Sequence, residues 1–414
     1  MDEQDRYRQW MLATAVAAVQ EGTASLRQLV ERCEGADPLM VRSAVTAHAT
    51  QQLSLEWLAP PAVADGPVER HLPPPHPLDY EWRFSLRGAE SILSRVRAAG
   101  ARDLVFIGAT TAAVAAARQV GWGRLVAFDR SRTILEAVNG LQLPLELVLA
   151  DAFSHAPTVW HADAVVIDPP WYLEHTCAFL TAAARECRIG GLVLACLPGV
   201  GTRPGIHAER LELKRRVSPL GLEVLSVEAQ SIAYETPLFE QNAFRAAGLR
   251  GDMRSWRRGD LWTFRKVRES ASGETLHVEP GSAWEEMGVG RMRVRFLVTG
   301  QLSGDTRLLQ ICDGDVLPTV SRRDTRRERV RVWTSGNRVF ACDDPGTLFA
   351  ALAAATTGKD EVAAAEGRLG RVLTADEREW LAASCKRLGN LGVIEENEYT
   401  DLTEEDGSDE QVAA

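Results

Sequence analysis

Long hydrophobic runs are missing. No stretch of the 414 residues stays apolar over the roughly twenty positions that a bilayer-spanning helix needs, so no membrane partner is expected. The opening MDEQDRYRQW is charged and runs into helix-like sequence, unlike a secretory leader. Seven cysteines occur without a CxxC pair, which fits reduced thiols in the cytoplasm better than a disulfide frame or a zinc site. His71, His76, His155, His161 and His175 have no metal-ligand spacing, and no metal is expected. There is no P-loop and no serine in a nucleophile elbow. A basic excess is absent too, with a net charge of −10. The terminal stretch EENEYTDLTEEDGSDE (395–410) carries nine acids and no Lys or Arg, and without it 48 acids face 47 bases. The tail 395–414 reads as disordered and solvating, and the remaining chain is near neutral, so net charge says little about nucleic-acid binding.

What is present begins with helix. Residues 1–68 carry apolar positions at helical spacing, broken at Gly35-Ala36-Asp37-Pro38, where Asp37 is suited to cap a helix that opens on Pro38. Two short helices around a turn fit a winged-helix module or a plain helical scaffold equally. The stretch HLPPPHPLDYEWRFS follows. Its Pro73, Pro74, Pro75 and Pro77 read as a stiff linker. Its aromatic-acidic end (Asp79, Tyr80, Glu81, Trp82, Phe84) can roof a pocket or anchor the linker.

From 78 to 268 apolar strands alternate with helices: DLVFIG (103–108), RLVAFD (124–129), LELVLAD (145–151), VVID (165–168), then LVLACLP, LEVLSVEA and LWTFRKV. This is the pattern of an α/β domain whose doubly wound, mostly parallel sheet is covered on both faces. Ligands in such sheets bind beyond the carboxyl ends of the strands. Gly108, Asp129, Asp151 and Asp168 all stand at those ends. A helix N-terminus after Gly108 offers free N–H groups. Asp129 can accept both hydroxyls of a ribose, and Asp151 an adenine amino group. A single glycine is equally a plain strand-to-helix turn. Residues 275–394 read as a further α+β domain without a chemical motif.

The order glycine, acid, acid, then Asp168-Pro169-Pro170-Trp171 resembles the class I S-adenosylmethionine-dependent methyltransferases, and among them those that modify an amino nitrogen through an Asp-Pro-Pro-aromatic turn. The resemblance spans about 80–268. It implies a Rossmann-like domain that binds S-adenosylmethionine through Gly108, Asp129 and Asp151. The motif has a chemical logic. An aryl amine has its lone pair delocalised, and two acceptors, the Asp168 carboxylate and the Pro169 carbonyl, draw the nitrogen towards a nucleophilic geometry. Consecutive prolines hold that carbonyl still and bring no N–H. Trp171 gives a flat face for a base. The structural alternative is a proline stop ahead of a helix near Glu174.

The chain also resembles the branched-chain polyamine synthases, which join a winged-helix-like module to a class I domain and transfer an aminopropyl group from decarboxylated S-adenosylmethionine. That resemblance implies acids for a polyamine, such as Glu235, Glu240 and Asp79. Ala109-Thr110-Thr111 stands where those enzymes favour acidic residues. Residues 231–260, with Tyr234, Glu235, Phe239, Trp256, Arg257 and Arg258, form either a substrate loop or an elaboration packing on the C-terminal domain. Acceptor contacts are expected at Tyr234, Glu235, Asp79 and Trp82, with stacking also open to Trp256 and Trp262. SRRDTRRERVRV (321–332) reads as a solvated strand face laced with ion pairs rather than a phosphate-binding patch. The expected activity is methyl transfer to an amino nitrogen, with a nucleic-acid adenine-type base ahead of a protein lysine or a polyamine. Aminopropyl transfer, or a catalytically silent binding module, are the alternatives.

Overall fold

Side chains of a β-strand point alternately to opposite faces, and in the central sheet this alternation builds two cores. Strands β1 (Leu104–Ile107), β2 (Leu125–Asp129), β3 (Glu146–Leu149), β4 (Ala162–Ile167), β5 (Cys187–Pro198), β6 (Leu222–Ala233) and β7 (Arg258–Lys266) lie in the order β3-β2-β1-β4-β5-β7-β6. β7 runs antiparallel to both neighbours, and the other pairings are parallel. Leu104, Phe106, Ala127, Ala164, Val166 and Cys196 face one way, onto α4 (Leu86–Ala98), α5 (Thr110–Ala117) and α6 (Arg132–Gly140). Val105, Ile107, Val126, Val165, Ile167 and Ala195 face the other, onto α7 (Leu173–Glu186) and α8 (Ile206–Val217). α5 is buried along its whole length, TTAAVAAA, and its small side chains permit a close approach to the sheet. The computed structural model describes residues 2–23, 25–48, 67–153, 160–249, 253, 255–270, 284–299 and 302–404.

Two compact units divide the chain: Met1–Leu72, Trp82–Thr236 and Arg250–Val278 in the first, Pro73–Glu81, Pro237–Leu249 and Glu279–Ala414 in the second. The first unit adds three helices to the sheet, α1 (Glu3–Gln20), α2 (Leu26–Arg32) and α3 (Pro38–His48). α1 buries Tyr7, Met11, Ala15 and Ala18, a stripe at three- and four-residue spacing. α3 starts on Pro38, and the Asp37 carboxylate accepts from the amides of Leu39 (2.8 Å) and Met40 (3.2 Å). Residues 49–66, where the wing of a winged helix would fall, lie outside the described residues.

The second unit is an antiparallel sheet in the order β10-β12-β11-β9-β8, made of β8 (Trp284–Val289), β9 (Met292–Leu297), β10 (Leu309–Gln310), β11 (Val332–Thr334) and β12 (Val339–Ala341). α9 (Leu238–Ala246), α10 (Pro345–Thr356), α11 (Glu361–Leu369) and α12 (Ala375–Glu404) belong with it. Met292, Val294 and Phe296 of β9 share a core with Leu348 and Leu352 of α10 and Leu381, Leu388 and Leu391 of α12. Among the described residues no helix is long and apolar enough to cross a membrane.

Three readings of the sequence are corrected here. The proline-rich stretch is not a free linker. Pro74, Pro75 and Pro77 are buried, and Asp79 and Glu81 pair with Arg293, whose guanidinium is 2% exposed (2.7 and 3.0 Å). The acidic tail does not begin at 395. α12 runs on to Glu404, and the buried Glu395 carboxylate accepts from the Gly336 amide (2.7 Å), the Ser335 hydroxyl (3.0 Å) and Arg338 (3.2 Å). The arginine-rich 321–332 contains a 3-10 turn, Thr325–Arg329, in place of a strand, with Arg326 paired to Asp324.

Candidate active site

β1 and β4 are neighbours in register, Ile107 beside Ile167, so the residues that follow them, Gly108 and Asp168, emerge side by side. The chain leaves β1 towards β2 on one side and β4 towards β5 on the other. That reversal opens a crevice at the carboxyl edge of the sheet. Gly108 has φ +61°, and a methyl group there would come within 2.7 Å of the Phe179 ring and 3.2 Å of the Asp168 carbonyl oxygen. Only glycine suits such a place.

Asp129 ends β2 with both carboxylate oxygens oriented. One accepts from the Ser131 amide and the other from the Thr110 hydroxyl, each at 2.8 Å. Asp151 accepts from the Phe153 amide (2.9 Å), and the Phe153 ring meets His175 edge-on at 5.1 Å. A glycine at one strand end, a carboxylate at the next and an aromatic pair beyond follow the pattern of strand ends that bind a nucleoside.

On the acceptor side, Asp168 is followed by a tight turn in which the Tyr172 amide donates to the Pro170 carbonyl (2.6 Å) before α7 begins. The Tyr234 hydroxyl donates to Asp168 Oδ1 at 2.7 Å. Tyr234 is held in place from both sides: its amide donates to the Arg257 carbonyl (3.1 Å), and it bridges Phe84 as a short antiparallel pair. Burial pushes the Asp168 carboxyl well above the usual carboxylate range, and the Tyr234 hydrogen bond pulls it partly back. Burial likewise raises the Tyr234 phenol, with the Asp168 charge adding to it. The Trp171 ring meets Tyr234 edge-on at 5.6 Å. The Arg257 guanidinium lies 4.5 Å from the Trp82 ring, 4.7 Å from Trp256 and 5.3 Å from Trp171. These are cation–π distances.

The structure thus gathers Gly108, Asp168, Pro169, Pro170, Trp171, Tyr234, Trp82 and Arg257 within the first unit, with Asp129 and Asp151 along the same edge. Glu235 follows Tyr234, and its amide donates to the Arg83 carbonyl (2.8 Å). Asp79 and Glu240 belong to the second unit, where Asp79 is paired to Arg293 and Arg295 and Glu240 is buried in α9. The insert 231–260 is therefore split. Pro237–Leu249 serves the second unit, where the Asn242 side-chain amide donates to the Gly336 carbonyl (3.0 Å), and its two ends serve the site. Trp262 is only 1% exposed within the β7 core, which removes it as a stacking surface. Arg203 went unnoticed in the sequence. It donates to the Trp171 carbonyl at 2.8 Å, and its only signal is its place in a glycine-rich turn after β5.

No protein-family model matches the chain, and no curated protein matches its sequence. Among solved structures, the branched-chain polyamine synthase from Thermus thermophilus, in complex with N4-aminopropylspermidine and 5'-methylthioadenosine, is 15% identical. It aligns over 66% of this chain and 91% of its own, with a TM-score of 0.52. Its C9 mutein, with the same two ligands, is 14% identical over 67% of this chain and 95% of its own, at 0.53. A putative RNA methyltransferase from Pyrococcus horikoshii is 13% identical over 47% of this chain and 90% of its own, at 0.33. At these identities the likeness to the synthase is one of fold, and with the strand order above it gives this chain a class I methyltransferase-like α/β fold with a mostly parallel sheet.

Proposed function

We propose that the protein is an S-adenosylmethionine-dependent transferase that methylates an amino nitrogen, with an adenine-type base in nucleic acid as the preferred acceptor. The observation that carries the reading is the acceptor turn. Asp168 follows β4 with its backbone carbonyl beside Gly108, and the Tyr234 hydroxyl fixes its carboxylate in orientation. The donor fits the residues present. Gly108 ends β1 at a point where only glycine is tolerated, and Asp129 ends β2 with its carboxylate oriented by Thr110 and Ser131. Bound there, S-adenosylmethionine supplies an electrophilic methyl group on a sulfonium. The chain's own part is to accept the amine hydrogens, to hold the nitrogen lone pair towards Gly108, and to take up the proton released on transfer. A raised Asp168 pKa makes that carboxylate the stronger base.

The surroundings favour a flat or anionic acceptor. Arg257 lies against Trp82 and Trp171, an aromatic surface on which a base can stack. The second reading, aminopropyl transfer from decarboxylated S-adenosylmethionine, draws on the alignment over 95% of the polyamine synthase mutein.

Calorimetry with each donor, followed by label transfer from S-adenosylmethionine to an adenine-containing single strand, tests the proposal. Tighter binding of S-adenosylmethionine and label in the strand are expected. Preference for the decarboxylated donor would promote the second reading. Binding of neither donor would sink both and leave a silent binding module.

A further inference from the structure

The turn after β5 reads PGVGTRPG, Pro198 to Gly205, with three glycines in seven residues. Each has a neighbour in the N-terminal helices. A methyl group on Gly199 would come within 3.0 Å of the Glu34 carbonyl oxygen, and one on Gly201 would strike the Cys33 carbonyl. Gly205 has φ +91°, and its absent side chain would point 3.8 Å from the Glu3 carboxylate. The buried Tyr7 hydroxyl of α1 donates to the Gly201 carbonyl at 2.7 Å. Gln230 on β6 donates to the Glu31 carbonyl of α2 (3.4 Å). α1 and the end of α2 thus seat the turn at the carboxyl edge of the sheet, the edge where ligands bind.

Arg203 projects from this seated turn. Its guanidinium forks onto Glu209 at 2.6 and 2.7 Å, donates to the Trp171 carbonyl at 2.8 Å, and lies 5.4 Å from the Tyr172 ring. A planar fork engaged on a carboxylate has one orientation, so the Trp171 carbonyl is fixed as well. The connection runs from Tyr7 through Gly201 and Arg203 to Trp171, on the acceptor side.

Taking the acceptor's identity from the reading above, we infer that the N-terminal helices are a positioning element for the acceptor turn, acting through the Tyr7–Gly201 hydrogen bond and the Arg203 strut. Tyr7 and Arg203 are positioning residues. They set where Trp171 and Asp168 stand, and donor binding is left to other residues.

The test uses the full chain. Tyr7→Phe removes the hydroxyl and keeps the ring, and Arg203→Met removes the fork. Hydrogen exchange of the Tyr172 amide, which donates to the Pro170 carbonyl, is expected to speed up about fivefold or more in both. S-adenosylmethionine affinity by calorimetry should stay within about twofold of the unaltered protein. Arg203→Lys keeps the charge without the fork and should fall between. With an adenine-containing single strand as probe, KM for the strand should rise about three- to tenfold in Tyr7→Phe, as expected for one buried hydrogen bond. Unchanged exchange at Tyr172 in Tyr7→Phe would overturn the inference, as would donor affinity falling in parallel, which marks general loosening. Failure of the acceptor reading shows elsewhere: the unaltered protein would leave the strand unlabelled, while faster exchange in both variants would still support the positioning role.

Discussion

Tyr234→Phe isolates one hydrogen bond at the centre of the site. The ring keeps its contacts with Phe84 and Trp171, and only the hydroxyl that donates to Asp168 at 2.7 Å is lost. A hydrogen bond to a charged group contributes about 1.5–3 kcal/mol. In the native protein it stabilises the carboxylate against the acid, opposing the burial that raises the Asp168 pKa. Without it the carboxylate is about ten- to a hundredfold less populated relative to the acid at any pH. A carboxylate that accepts the amine hydrogens must be ionised, so turnover falls as pH falls through the Asp168 pKa. The acid limb of the kcat/KM profile should therefore move to higher pH in Tyr234→Phe, with the alkaline plateau recovering most of the activity. The assay is the pH–rate profile for acceptor methylation at saturating S-adenosylmethionine. An acid limb that stays in place, or moves to lower pH, would refute the assignment of Asp168 as an ionised acceptor steadied by Tyr234.

Asp129→Ala should abolish S-adenosylmethionine binding, while Asp168→Asn should keep it and lower turnover by about two to three orders of magnitude; calorimetry and label transfer separate the two. The same Asp168→Asn should be more stable than the native protein at neutral pH. A carboxyl whose folded pKa is raised binds its proton more tightly folded than unfolded, so its contribution to stability is present below the unfolded value of about 3.9 and is lost as pH rises towards the folded pKa. Trp171→Ala and Arg257→Glu should weaken binding of a single-stranded oligonucleotide, the former by about 1–3 kcal/mol, while Glu235→Gln leaves it intact; the reverse pattern in fluorescence anisotropy would identify a cationic acceptor. Arg293→Met should cost about 3–5 kcal/mol by leaving Asp79, Glu81 and Glu286 short of a shared cation, and a loss below about 1 kcal/mol in denaturant unfolding would show that Arg295 suffices.

The alternating sheet was legible because its signals are local. A run such as LVFI or VVID is apolar, short and bounded by turn residues, and successive positions divide between two faces whatever lies far away in the chain. Asp37-Pro38 announced a helix start for the same reason: the cap and its amides are two and three residues apart. The Asp-Pro-Pro-Trp turn stood out because prolines restrict their own backbone. What only the tertiary structure decided are pairings between distant residues. Asp79 meets Arg293 across 214 positions, and the same aromatic-acidic stretch is divided between the two units, Asp79 in the second and Trp82 in the first. Glu395 reads as one more acid of a charged tail until Thr334, Ser335 and Gly336, some sixty residues earlier, supply its donors. Tyr234 reaches Asp168 across 66 positions, and Arg203 reaches the Trp171 carbonyl through a turn that Tyr7 holds. A sequence states which groups need partners, since a carboxylate or guanidinium cannot be buried alone. Which partner each one finds depends on chain segments that come together only when the fold closes.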